Sequence, residues 1–288
     1  MLLVAVVAKL AIGARWDLVA DEAYHWTWAL APALGTYDQP PLVGWVLALE
    51  RGILGDHALA LRLVPILGWV AAVAALRPYA RDRGLWAVWA FGLPPLAILT
   101  NLAVPDALLL STWALAMAAA LRGGRGWWLA GLFAGLASLS KYSGIAVLPL
   151  LMAGSGEHRT RDPWIGLGVA LAVLAPNLAW NAAHGWITFR FQAGEGLFSP
   201  HPPGVLGPLR VVLDQALLLG PLAAVATGIW WTRRPGSRVD RMCLATSLPL
   251  VLGFALAAIG GPPEAHWPAP AWIGVGVGLA CAGERLLT

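Results

Sequence analysis

The chain has 288 residues, of which 59% are hydrophobic and only 12% charged, and its mean hydropathy is +0.69. Soluble domains carry about twice that share of charge, so a solvated globule and a disordered chain are both excluded. The net charge is +4, but the basic residues fall in short clusters between apolar runs, which is how membrane proteins mark their inner loops and argues against nucleic-acid binding.

Taken in chain order, the apolar runs lie at about 1–19, 58–76, 85–100, 104–121, 127–140, 143–153, 163–181, 205–232, 241–260 and 270–283. They lack strand-like alternation and therefore predict helices. At ~20 residues per crossing plus loops, the length allows about eight to ten spans. The first run has no basic leader or small-residue cleavage site, so it reads as a membrane helix with Lys9 and Arg15 snorkelling. Residues 16–57 form a long first outer loop. Residues 127–153 make one apolar run broken at 140–143 and flanked by basic loops. Each half is only ~20 Å of helix, so the segment is either a tight hairpin or re-entrant, and Lys141 sits in the outer half either way. One transmembrane domain over 1–288 is expected, with no soluble C-terminal domain. Cys243 and Cys281 lie in apolar runs and suggest neither a disulfide framework nor a metal motif.

Of the 19 Lys and Arg, twelve belong to one alternating set of loops: Arg77, Arg81, Arg83, Arg122, Arg125, Arg159, Arg161, Arg233, Arg234, Arg238, Arg241 and Arg285. The positive-inside rule makes that set cytoplasmic and puts Trp86, Trp127, Trp128, Trp164, Trp230 and Trp231 in an inner aromatic belt. The opposite side collects ten of the fifteen acids, Glu195 among them, and five of the six histidines, His201 included. Acid–base chemistry therefore belongs on the outer side.

The most informative stretch there is Asp21-Glu22-Ala23-Tyr24-His25-Trp26-Thr27-Trp28, followed by Tyr37-Asp38-Gln39-Pro40-Pro41-Leu42. Its aromatics suit an interfacial helix. A carboxylate at the lipid–water boundary is partly desolvated, hence more basic and suited to take a proton from a hydroxyl; a solvated helix N-terminus explains the same acids more simply. These segments resemble the first outer loop of bacterial glycosyltransferase family 39, relatives of protein mannosyltransferases and of the aminoarabinose transferases that modify lipid A. Further matches are Val104-Pro105-Asp106, Ser140-Lys141-Tyr142, the blocks at 176–181 and 184–192, and Glu264-Ala265-His266-Trp267-Pro268.

The resemblance implies a GT-C fold, an all-α polytopic membrane bundle with short interfacial helices in the first outer loop. It implies an inverting glycosyltransferase that moves a sugar from a polyprenyl-phosphate donor to a lipid, glycan or protein acceptor, outside a bacterial inner membrane. It makes Asp21 the catalytic base candidate with Glu22 beside it. One base suffices for an in-line displacement, and a cation must meet the phosphate. Lys141 is the first choice for that cation, an ionisable residue within a span, with a snorkelling lysine as the alternative; Tyr142 and Arg190 follow. Asp38 and Asp106 are substrate-binding candidates, N-capping being the simpler explanation of Asp106. Glu264, His266 and His184 could line a sugar pocket. A divalent cation among these groups is conceivable, but no metal-binding spacing is present. A transporter or flippase of lipid-linked sugars, or a non-catalytic relative, are the alternatives. A flippase should show acids in both leaflets and pseudo-symmetric halves, and neither pattern is visible.

Overall fold

The computed structural model describes residues 2–194, 206–260 and 263–282; Glu195, His201 and Arg285 lie outside them. Among the described residues the regular structure is helical. Helix α1 (Leu2–Arg15) leads to two short helices of the loop that follows, α2 (Ala20–Trp28) and α3 (Leu42–Leu54). Then come α4 (Ala58–Leu76), α5 (Arg83–Gly92), α6 (Pro94–Leu99), α7 (Pro105–Arg122), α8 (Gly126–Ser140) and α9 (Val147–Ser155). The chain continues with α10 (Asp162–Ala183), α11 (Ile187–Gly194), α12 (Gly207–Leu219), α13 (Pro221–Thr232), α14 (Arg238–Ala245), α15 (Leu248–Ala257) and α16 (Ala271–Ala282).

Three segments are each long and apolar enough to cross a bilayer, Ala58–Tyr79, Asp162–Ala183 and Arg238–Ala257, and α12 with α13 adds a fourth if their 118° bend is one broken span. The other apolar runs are made of shorter pieces. Pro94, which has no N–H to continue a helix, starts α6 afresh after α5. At Lys141 the chain turns extended between α8 and a 3₁₀ turn that leads into α9. Residues 127–153 thus fold back on themselves, with their two ends together. Trp127 Nε1 at its start donates to Glu157 Oε2, just past its end, at 2.6 Å.

α7, buried along nearly its whole length, is the yardstick of the bundle. At its C-terminus, Arg238 donates to the carbonyls of Leu121 and Ala120 at 3.0 Å each and pairs with Glu157 at 2.9 Å. The basic loops therefore converge at this end. At the N-terminus of α7, about 27 Å away at 1.5 Å per residue, Ser140 Oγ donates to the Pro105 carbonyl at 2.5 Å. The outer loop and its acids gather at this second end.

The core is built around Trp69, Trp86, Trp113, Trp127 and Trp272, all under 2% exposed. Trp86, Trp127 and Trp230 are thus interior residues rather than members of an interfacial belt, whereas Trp128 and Trp164 are exposed as a belt requires. The reason is that the interior offers indole partners: Trp86 Nε1 donates to the Val73 carbonyl at 3.1 Å, which lets a large amphipathic ring be buried. Gly131 and Gly166 let α8 and α10 touch backbone to backbone; a Cβ on Gly131 would overlap the Gly166 carbonyl. Lys9 differs from expectation too. It is 6% exposed and donates to the Ala97 carbonyl at 3.0 Å and to Thr100 Oγ1 at 2.8 Å. It satisfies the C-terminal end of α6 instead of snorkelling.

Candidate active site

The site is organised by α2, whose first turn carries both acids of the Asp-Glu pair. A helix N-terminus favours carboxylates, yet the two side chains go opposite ways. Glu22 is 1% exposed. It accepts from the amides of Val19 at 3.0 Å and Ala103 at 2.8 Å, and from Arg62 Nε at 2.7 Å and Nη2. The remaining guanidinium N–H groups of Arg62 donate to the carbonyls of Gly13, Trp16 and Asp17 at 3.0, 2.8 and 2.9 Å. All five donors of a buried arginine are used. Burial alone would raise the Glu22 pKa, but the hydrogen bonds from Arg62, Ala103 and Val19 hold it below the ordinary range. One carboxylate thereby ties together α1, α2, α4 and the turn before α7.

Asp21 faces outward with its side chain 65% exposed, and its Oδ1 lies 3.5 Å from His25 Nδ1. His25 Nδ1 also sits 2.7 Å from the Asp21 carbonyl, so that nitrogen carries the proton and donates. His25 Nε2 is buried with no hydrogen-bond partner. Burial pulls the imidazole below its ordinary pKa, against the opposing pull of Asp21, Asp38 and Asp106. These three carboxylates therefore surround one histidine. Tyr24 faces Asp38, and burial together with that charge raises the phenol.

Asp106 stands in the first turn of α7, but its side chain does not cap the helix. Its Oδ1 and Oδ2 accept from Lys141 Nζ at 2.9 and 3.1 Å. His266 Nε2 lies 3.7 Å from Asp106 Oδ2, and His266 Nδ1 lies 3.4 Å from Glu264 Oε2. Lys141 Nζ sits 5.3 Å from the Trp267 ring centroid, within cation–π range. Three chain segments thus meet in one cluster of alternating charge.

Tyr142, His184 and Arg190 belong to a neighbouring group on α10 and α11. Tyr142 OH donates to Asn177 Oδ1 at 3.0 Å and accepts from Asn181 Nδ2 at 3.2 Å, and its ring stacks on Phe189. Asn177 Nδ2 donates to the Leu34 carbonyl at 2.9 Å, and Thr188 Oγ1 donates to the Thr36 carbonyl at 2.5 Å. Gly35 packs so tightly on Trp180 that a Cβ would overlap the indole. The loop carrying Asp38 is therefore held by α10 and α11. His184 and Arg190 are exposed, with the His184 ring stacked on Trp180. A cavity of about 230 Å³ opens beside the second half of α2, lined by Thr27, Trp28, Thr36 and Trp45.

The sequence-derived candidates Asp21, Asp38, Asp106, Lys141, Glu264 and His266 share one end of the bundle; Glu22 lies behind them. Arg62 and His25 were missed. An arginine four residues into an apolar run was the available signal for Arg62. Among the described residues, no group of three His, Cys, Asp or Glu side chains is arranged to hold a metal ion.

Comparison with known proteins agrees with this architecture. Residues 38–180 match the family model described as dolichyl-phosphate-mannose-protein mannosyltransferase. The chain is 30% identical over 278 positions to the lipid A galacturonosyltransferase RgtD of Rhizobium johnstonii, covering 89% of this chain and 59% of that protein. Among solved structures it is similar to ArnT from Cupriavidus metallidurans bound to undecaprenyl phosphate, with a TM-score of 0.74, 17% identity, and coverage of 97% of this chain and 58% of ArnT. The apo form of the same ArnT gives 0.70 and 16%, covering 97% of this chain and 57% of ArnT. The chain thus spans under two thirds of the length of these relatives. An all-helical membrane bundle, an ArnT-like course over nearly the whole chain and the family match across Asp38, Asp106 and Lys141 lead to one assignment: residues 38–180 belong to the dolichyl-phosphate-mannose-protein mannosyltransferase family, within a chain that has the ArnT-like fold.

Proposed function

We propose that this protein transfers a sugar from a polyprenyl-phosphate carrier of the undecaprenyl type to a lipid A-type glycolipid, on the outer side of a bacterial inner membrane. The observation that carries the reading is the placement of an outward-facing Asp21 at the same acid-rich end as the Asp106–Lys141 pair, with His25 acted on electrostatically by both Asp21 and Asp106. The likeness to ArnT with its bound undecaprenyl phosphate supports the donor class. The likeness to RgtD supports a lipid A acceptor and a uronic acid as the first sugar to try.

In this reading the acceptor hydroxyl oxygen attacks the anomeric carbon from the face opposite the phosphate. Asp21 takes the hydroxyl proton. The bond from the anomeric carbon to the phosphate oxygen breaks, its electron pair leaves with polyprenyl phosphate, and the anomeric centre inverts. Lys141 moves from Asp106 towards the departing phosphate, or shares its three donors between them, and neutralises the growing charge. His25, with its proton on Nδ1, orients Asp21 rather than competing for the proton. Asp38, Glu264, His266, Tyr142, His184 and Arg190 provide hydrogen-bonding groups for the sugar and acceptor. Glu22 acts through Arg62 to fix α2, which makes it a positioning residue.

The test is direct. Purified full-length protein in detergent receives polyprenyl-phosphate-linked galacturonic acid and lipid A, with a neutral hexose donor as a parallel arm. The reading expects lipid A heavier by one uronic acid, in the absence of any sealed compartment. Product from the hexose arm alone would overturn the sugar assignment, and no product from either arm would overturn the transferase reading.

A further inference from the structure

A second concavity lies at the opposite end of the molecule from the acid cluster. It encloses about 440 Å³ between the segment after α4, the segment after α13, the start of α14 and the end of α16. Arg81, Arg233 and Arg234 line it together with one acid, Asp240, so its charged groups sum to about +2 at neutral pH. The arginines come from two segments some 150 residues apart in the chain, and both lead to the same cavity. Trp230 and Leu244 supply part of its apolar wall.

The neighbouring Arg238 shows what a structural arginine looks like at this end. It is held by Glu157 and by the carbonyls of Ala120 and Leu121, and it closes the end of α7. Arg81 and Arg234 are exposed instead, and they border a space large enough for a small-molecule ligand. Asp240 is partly occupied internally, because its Oδ2 accepts from Ser237 Oγ at 2.8 Å. A cavity lined by guanidinium groups as well as by indole and leucine matches an amphiphile with a phosphate head. Arginine recognises phosphate oxygens through paired N–H groups, and basic pockets between helices on the cytoplasmic side suit anionic lipid headgroups.

We propose that this cavity binds the phosphate headgroup of an anionic phospholipid of the cytoplasmic leaflet, with the first part of an acyl chain lying along the Trp230 wall. The inference rests on the basic end facing the cytoplasm and not on the transfer reaction, since Tyr79 of the cavity wall reaches the carbonyl of Ala118, twelve residues beyond Asp106 and about 18 Å along α7.

The experiment uses the full chain in mild detergent. Binding of phosphatidylglycerol, phosphatidylcholine and inorganic phosphate is measured by native mass spectrometry and by the shift in unfolding temperature. The proposal expects phosphatidylglycerol to bind at least tenfold more tightly than phosphatidylcholine. It expects that preference to fall to less than threefold in the double variant R81Q/R234Q and to survive in R81K/R234K. Equal binding of the two lipids to the unaltered protein would overturn the proposal without any variant. So would an undiminished preference in a folded R81Q/R234Q. Displacement of the lipid by equimolar inorganic phosphate would show a site for free anions and overturn the lipid assignment.

Discussion

The two ends of this bundle use charge in opposite ways. At the acid end the charged side chains are spent on one another: Glu22 on Arg62, Asp106 on Lys141, and His266 between Asp106 and Glu264. At the basic end Arg238 closes the scaffold, while Arg81 and Arg234 face a cavity. A buried pair fixes geometry because separating it leaves a bare charge in a low dielectric. An exposed guanidinium holds little in place and remains available to a ligand. The acid end is therefore preorganised from within, and the basic end awaits something from without.

The sharpest way to break the comparison is at Asp21, the one acid of the α2 pair that is not tied into the scaffold. Asp21→Asn should lower the transfer rate by about 10³-fold or more, since it removes the base from the reacting site. The unfolding temperature should stay within about 1 °C, because the side chain is mostly solvated. Initial rates and a thermal melt on the same preparation check both halves.

Its neighbour should behave in the reverse sense. Glu22→Ala leaves Arg62 buried without a counter-charge and should cost about 3–5 kcal/mol of stability, read by detergent-induced unfolding. Removing both partners, as in Glu22→Gln with Arg62→Met, should recover part of that loss, because the bare charge is gone. If Glu22→Ala unfolds normally and loses only activity, Glu22 is chemical and not structural.

A smaller effect is expected at the phosphate end of the reaction. Lys141→Gln should lower kcat/KM by about 10²-fold, in the range seen when one charge-stabilising donor is removed. Lys141→Arg should keep a measurable rate. Steady-state kinetics with donor varied at fixed acceptor separate the two.

The mildest prediction concerns Glu50 of α3, a buried acid outside the reacting cluster. Its Oε1 accepts from the Val64 amide at 2.6 Å, its Oε2 has no partner, and burial pushes its pKa up to about 8. Below its ordinary value of about 4.5 the carboxyl is protonated in folded and unfolded chains alike. Between there and about 8 only the unfolded chain ionises, so stability falls as pH rises through this window and levels off above it. Glu50→Gln keeps the acceptor for Val64 and removes the titration. It should match the parent at pH 4.5 and exceed it by a few kcal/mol at pH 8.5, as measured by unfolding at the two pH values.

The parts of this molecule that were legible in its sequence were those governed by local composition. The apolar runs announced helices, the arginine clusters announced a basic end, and the Asp-Glu and Ser-Lys-Tyr segments announced an acid-rich end opposite to it. Pairings between distant segments were not legible. Nothing near Arg62 in the sequence points to a carboxylate 40 residues earlier, and nothing near Asp106 distinguishes an N-cap from a partner of Lys141. Apolarity summed over runs does not register that Pro94 or a bend at Gly220 divides a run into pieces. Trp86 and Trp127 were misplaced for a related reason: an indole beside a basic loop suits an interface or a core, and local composition does not say which.

The bond between Lys9 and the end of α6 has a consequence for biosynthesis. When the first helix leaves the ribosome its ammonium group has no protein partner, and the residues that will hold it, Ala97 and Thr100, are still some 90 codons away. An unpartnered lysine near the middle of a helix is poorly tolerated by hydrocarbon. Helix α1 should therefore linger beside the insertion machinery until α6 arrives, so that the order of lateral release into the bilayer differs from the order of translation.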